Sequence, residues 1–404
     1  MGGFVADGFG AVVDTFRRLV AEPAAVGLTV AVYRAGEPVV DLWGGWADRK
    51  RTRAWQRDTL AAVYSTTKGM TATAVAVAHS RGYLDYDAPV SHYWPQFAAN
   101  GKAAISVRTL LAHQAGLAAT RGRLDPRIMA DHDRLATLMA RQRPDWEPGT
   151  RHGYHVMSLG FYIQELMRRT DPQGRSVGRF FAEEVARPLG MDAYIGLPDS
   201  VPDSRLAEVR AAGLRDLADL NGMARGLRPS SLPGTLGSLR SPQSLRALRP
   251  GSVQLRAITN PRLAGAGSLL RREYLRVEFP TSNAVATARS IARMYGDLAR
   301  QGPQLGLSTS TFAELTATAP VVGDGMDVVL GSPTRYALGY SKPSPALAFG
   351  LSHRAFGAPG MGGSFGFADP DAGIGYCFIP TRHSTGVNGD ARERALREAV
   401  YACL

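Results

Sequence analysis

Cysteine is nearly missing from this sequence: Cys377 and Cys403 are the two in 404 residues. They form neither a disulfide framework nor a metal-ligand spacing, which excludes small stapled folds and cysteine-built metal centres. Nowhere do eighteen apolar residues run together, so no membrane-spanning helix is expected. The start, Met-Gly-Gly-Phe-Val-Ala-Asp, lacks a basic stretch, an apolar core and a cleavage site, so a cytoplasmic protein with free thiols is the expectation. The eight histidines show no zinc pattern; His152 and His155 are three apart with no third ligand nearby. Neither a metal nor another cofactor is expected. Lysine is scarce too, at four residues (Lys50, Lys68, Lys102, Lys342), because arginine is used in its place.

What is present describes a globular chain. Hydrophobic residues make up 45% and charged residues 20%, and the length suffices for a large core and two domains. The formal net charge of +12 is uneven, because thirteen arginines and four acids lie between Arg205 and Arg276. Such a region either greets an acidic partner, such as an acyl carrier protein, or is an arginine-rich solvated face. No zinc knuckle or aromatic-basic stripe accompanies it, so no nucleic-acid partner is expected.

Apolar spacing predicts an amphipathic helix over residues 7–21. Gly27–Arg34 and Glu37–Gly44 are β-rich runs joined by Ala-Gly, an antiparallel hairpin. From about 84 to 304 the pattern is mainly helical, with helices near Val107, over Met157–Arg169 and over Val177–Ala186. Asn283 is placed as the cap of a helix through Leu298. Residues 221–256, rich in Gly, Pro, Ser, Leu and Arg, read as a long loop or flap. Strands return at Tyr336–Ser341, Ala346–Ser352, Ser364–Ala368 and Ile374–Ile379, and a helix over Ala391–Ala402 closes the chain. Strands at both ends with helices between predict an α+β fold: one antiparallel sheet built from both termini, flanked by helices, with a helical domain inserted. The division is 1–83 with 305–404 for the sheet domain and 84–304 for the insertion.

The chemistry centres on Tyr64-Ser65-Thr66-Thr67-Lys68-Gly69-Met70, at the start of a small-residue apolar helix. Ser65 and Lys68 fall one turn apart on one face. A serine hydroxyl needs a neighbour to take its proton, and a buried neutral lysine can do so. The Ser65 N–H at the helix start can serve a developing oxyanion. The same pattern also fits a capping serine followed by an exposed lysine. Tyr154, in Gly149-Thr-Arg-His-Gly-Tyr-His-Val156, is a candidate base if a nearby cation holds it partly as phenolate; otherwise it caps a core. The glycine-rich Phe356–Phe367 is either backbone laid against a ligand or a β-turn. Within it, Gly362-Gly-Ser-Phe-Gly366 imitates a nucleophile elbow with Asp369, Asp371 and His383 behind it. The elbow needs a helix after the serine, which Gly366, Pro370 and Gly373 forbid.

Together these residues resemble the serine β-lactamase and penicillin-binding-protein superfamily, most closely its class C-like esterase branch, the family VIII carboxylesterases. The resemblance covers nearly the whole chain. It rests on Val63–Met70, Arg108-Thr-Leu-Leu-Ala-His-Gln-Ala-Gly-Leu117, Glu147–Tyr154, Pro188-Leu-Gly-Met191, Phe279-Pro-Thr-Ser-Asn283 and Gly362–Pro370. It implies Ser65 as the acylated nucleophile, Lys68 as its partner, Tyr154 as general base and Met361 N–H as second oxyanion donor. His155, Gly360 and Gly362 are then expected against the substrate. Two departures stand out. The family's Tyr-x-Asn is Tyr154-His155-Val156 here, and its third motif is Ala358-Pro359-Gly360, so groups that grip a β-lactam are gone. The resulting expectation is a serine hydrolase acting on a small carboxylic ester or acyl compound, with weak or no β-lactamase activity. An acyltransferase using the same acyl-enzyme and a non-catalytic binding protein are the alternatives.

Overall fold

The computed structural model describes residues 1–22, 26–209, 251–261, 271–384 and 389–404. Most of the expected 221–256 loop and of the basic 205–276 region therefore lies outside the described residues. Where the loop re-enters, at its C-terminal end, Ser252 caps a short helix, Val253–Thr259.

An eight-stranded, wholly antiparallel sheet organises the chain. Its strands are β1 (Gly2–Val5), β2 (Gly27–Arg34), β3 (Glu37–Gly45), β7 (Tyr336–Ala337), β8 (Tyr340–Ser341), β9 (Phe356–Pro359), β10 (Phe365–Asp369) and β11 (Ile374–Pro380), in the order β1-β3-β2-β11-β10-β9-β8-β7. The seam between the two ends of the chain is β2 against β11, with Ala31 opposite Cys377. The β2–β3 hairpin turns at Ala35 and Gly36, both at positive φ (52° and 91°), the geometry of a tight two-residue hairpin. Three two-residue strands, β4 (Ala61–Ala62), β5 (Ala193–Tyr194) and β6 (Val285–Ala286), form a separate small sheet.

Side chains alternate across the large sheet as the pleat dictates. Leu28, Val30 and Val32 of β2 join one core with Phe16 of the helix Gly10–Ala21 and with Leu396 and Val400 of the helix Ala391–Tyr401. Ala31 and Tyr33 face the other core, which also holds the helices Thr67–Ser80 and Ala288–Ala299. The latter lies on β2, β10 and β11, and a Cβ on Gly375 would sit 1.9 Å from Gly296 N, so only paired glycines permit so close an approach.

Three expectations on local structure are corrected. Tyr336–Ser341 is not one strand, because Leu338 and Gly339 turn at positive φ (48° and 91°) between β7 and β8. Ala346–Ser352 is not a strand: Gly350 turns at φ 75°, Asp369 accepts the Leu351 N–H, and Phe349 folds onto Phe365 and Phe367. Asn283 does not cap the helix after it; Thr287 does, accepting from Ser290 N–H. The Asn283 side chain instead pins the Phe279–Asn283 turn, accepting from Phe279 N–H and donating to the carbonyls of Tyr274 and Val277. One of its bonds is buried and two are partly buried, in a turn that no helix pattern marks. The edge strand β1 and strand β9 were not anticipated.

Candidate active site

Ser65 sits in a single 3-10 turn, Tyr64–Thr66, that feeds the helix Thr67–Ser80. Tyr64 just before it is held in the left-handed region at φ 46°, an unfavourable conformation for a bulky residue. The turn is over-determined around it: Thr66 N–H donates to Val63 O at 3.1 Å, the Thr67 hydroxyl to Tyr64 O at 2.5 Å, and the Tyr64 ring packs edge-on against His383. From Thr67 to Ala78 every helix residue is buried. Lys68 is thus carried into the core by small apolar neighbours and is only 3% exposed.

Nζ of Lys68 lies 3.2 Å from Ser65 Oγ, 2.7 Å from Val156 O and 3.3 Å from Thr281 O. Among the described residues no carboxylate pairs with it, and burial holds its pKa well below the ordinary lysine value. Nζ donates to the two backbone carbonyls and to Ser65 Oγ, and burial disfavours its charged form.

The loop carrying Tyr154 is braced by the Arg108–Leu117 segment. His113, at φ 61°, offers its carbonyl to Gly153 N–H and its Nδ1 to His155 N–H at 3.0 Å. Gly149 N–H reaches Gln114 O, and Asp145 N–H reaches Gly116 O. Lys68 Nζ stands 4.6 Å from the centre of the Tyr154 ring. Burial pushes the phenol far above the usual tyrosine range; a hydrogen bond with the Ser65 side chain draws it down and the Asp327 carboxylate raises it further. These surroundings favour the phenol over the phenolate, burial first and the Asp327 carboxylate after it.

The third wall is the turn after β9. Gly360 packs onto the serine turn so tightly that a Cβ there would lie 2.4 Å from Val63 O and 2.2 Å from Ser364 Oγ. Ser364 itself donates to Val63 O and contacts the Thr66 hydroxyl, tying this turn to the one that bears Ser65. Met361 follows Gly360, with its side chain 49% exposed.

Other expected site residues fall elsewhere. His155 is fully buried; its Nε2 accepts from Leu117 N–H and its Nδ1 donates to Gly153 O, leaving no nitrogen for a substrate. Gly362, at φ 85°, is buried and packs against the His383 ring. The imitation elbow is no site either, since β10 follows Ser364. Asp369 there holds the N–H groups of Leu351, Asp371 and Ala372 and the Tyr401 hydroxyl. Sequence reading missed Asp327, which accepts the Tyr154 N–H from 173 residues away. It also missed the carbonyls that hold Lys68, because backbone atoms leave no residue-type signal. Among the described residues no His, Cys, Asp and Glu cluster is arranged to hold a metal, and no helix is long and apolar enough to cross a membrane.

A serine joined to a desolvated lysine, a tyrosine across from both and a glycine turn beside them make up the candidate site. The beta-lactamase family model matches residues 12–401, and the chain belongs to that family, as a serine hydrolase. Among its relatives, the esterase/beta-lactamase LipL of Mycobacterium tuberculosis is 32% identical over 389 residues, covering 93% of this chain and 81% of LipL. A crystal structure of a family VIII carboxylesterase superposes with a TM-score of 0.85 at 36% identity, covering 100% of this chain and 99% of that one. A penicillin-binding protein homologue from Caulobacter crescentus gives 0.81 at 32% identity, covering 100% and 99%.

Proposed function

We propose that the protein cleaves carboxylic esters through an acyl-enzyme on Ser65. The supporting observation is the buried Lys68 Nζ 3.2 Å from Ser65 Oγ, with no carboxylate paired with it among the described residues. As Oγ attacks the ester carbonyl, its proton passes to the Lys68–Tyr154 pair. Ser65 N–H and Met361 N–H receive the oxyanion, and the alcohol leaves carrying a proton returned by the pair. Water then attacks the acyl-enzyme with the same base, releasing the acid and restoring Ser65.

The esterase names of LipL and of the family VIII structure support the ester as substrate. Val156 stands where the family's second motif has asparagine, and Ala358 opens the third motif without a cation. Slow or absent β-lactam hydrolysis follows.

The test is hydrolysis of p-nitrophenyl butyrate by the wild type and by Ser65→Ala, with intact mass after fluorophosphonate treatment. Turnover and one adduct, both absent from the variant, are expected. Turnover that survives the substitution would remove Ser65 from the mechanism.

A further inference from the structure

We infer that Asp327 is the positioning residue of the Tyr154 phenol, fixing both the backbone that carries the ring and the aromatic ring stacked on it. The inference rests on the ester-cleaving reading above. Asp327 is 1% exposed and has no ion-pair partner among the described residues. A buried carboxylate of this kind is tolerable only when its lone pairs are filled with hydrogen bonds. Here they are. It accepts the N–H groups of Val329 and Leu330, both at 2.8 Å, the Thr334 hydroxyl at 3.2 Å, the Tyr336 hydroxyl at 2.7 Å and the Tyr154 N–H at 2.9 and 3.1 Å to its two oxygens.

The bonds to Val329, Leu330 and Thr334 are local, and they would suffice if Asp327 only closed its own loop. The last two reach into the site. Tyr336 lies parallel to Tyr154, with centroids 6.0 Å apart and planes 10° apart, and His113 packs beside both at 5.0 and 4.5 Å. Lys68, Ser65, His113, Tyr336 and Asp327 are the titratable, charged or hydrogen-bonding groups set against Tyr154, and His152 stands behind Tyr336 at 5.8 Å. One carboxylate thus sets the height of the Tyr154 backbone and the plane against which its ring rests. Burial favours the protonated phenol, and the Asp327 carboxylate adds to that effect.

Asp327→Asn keeps an acceptor for the Tyr154 N–H and removes the charge; Asp327→Ala removes both. With p-nitrophenyl butyrate, kcat should fall about tenfold in the first and about 100-fold in the second, the latter being the loss typical of a misplacement near 1 Å. KM should stay within about twofold, because substrate binding is not what Asp327 supports. The alkaline limb of kcat/KM should move to lower pH in Asp327→Asn. Tyrosine labelled with carbon-13 at Cζ, its Tyr154 resonance assigned by Tyr154→Phe, reads the same coupling without turnover: the resonance should titrate at lower pH in Asp327→Asn. If both Asp327 variants fail to fold, Tyr336→Phe removes one arm and should lower kcat at constant KM. Folded variants with wild-type kcat, pH limb and Tyr154 resonance would overturn the inference. A wild type that neither turns over nor takes the fluorophosphonate would instead sink the ester-cleaving reading, and the Tyr154 resonance would still decide Asp327.

Discussion

A backbone N–H cannot be deleted by changing its own side chain, yet the position of Gly360 allows the proposed Met361 donor to be displaced. An alanine Cβ at Gly360 would stand 2.4 Å from Val63 O, a backbone atom of the turn that leads into Ser65. It would also stand 2.2 Å from Ser364 Oγ, a hydroxyl already committed to Val63 O at 2.8 Å. Restoring ordinary contact of about 3.4 Å to the carbonyl requires the two turns to separate by roughly 1 Å. The backbone itself accepts alanine, since Gly360 has φ −114°. An oxyanion donor moved by that much is effectively lost, at about 100- to 1,000-fold in kcat, or roughly 3–4 kcal/mol of transition-state stabilisation. The assay is kcat on p-nitrophenyl butyrate beside the far-ultraviolet dichroism and thermal midpoint of Gly360→Ala. Gly10→Ala, at the start of the first helix where a Cβ meets nothing and φ is not positive, is the control for glycine loss alone. A folded Gly360→Ala with kcat within about threefold of wild type would refute the reasoning, since a lost donor costs far more.

Three further outcomes follow from the buried groups. Lys68 must be neutral to act, and its depressed pKa makes kcat/KM rise as pH climbs through that value. Lys68→Arg, whose guanidinium cannot shed its proton, should lower turnover by about 100- to 10,000-fold at every pH, and a retained acid limb in that variant would contradict the assignment. Lys342 is buried among the carbonyls of Leu315, Thr316 and Arg354, and burial brings its pKa down to about 7. A depressed lysine destabilises the fold little near its unfolded value and increasingly as pH falls toward 7. Urea unfolding of Lys342→Met should therefore gain on the wild type between pH 10 and 7, by roughly 3 kcal/mol; parallel pH profiles would refute this. His155→Leu orphans Leu117 N–H and Gly153 O, and should lower stability by about 3 kcal/mol with KM unchanged. An altered KM at wild-type stability would instead restore His155 to the substrate's surroundings.

The sequence by itself determined the elements whose patterns are local. β-rich runs bounded by Gly and Pro turns marked the β2–β3 hairpin and strands β10 and β11, and helical spacing marked Gly10–Ala21 and Ser158–Thr170. Ser65 and Lys68 were readable together because three residues of helix put them on one face, and small apolar neighbours announced that the lysine would be buried. Tyr154 needed the order of several motifs to stand out from thirteen other tyrosines.

What tertiary structure decided is where groups far apart in the chain meet. The placement of Lys68 Nζ against Ser65 depends on the carbonyls of Val156 and Thr281, 88 and 213 residues away. Asp327 carries no motif, and its place beneath Tyr154 exists only once the loop before β7 folds over. His155 looked like a substrate contact from its place beside Tyr154, but consecutive residues in an extended loop point opposite ways, and its ring turned into the core. Patterns along a chain record which face of an element is buried. Which atoms share a site is fixed by packing between elements, and that information is spread over residues no single stretch contains.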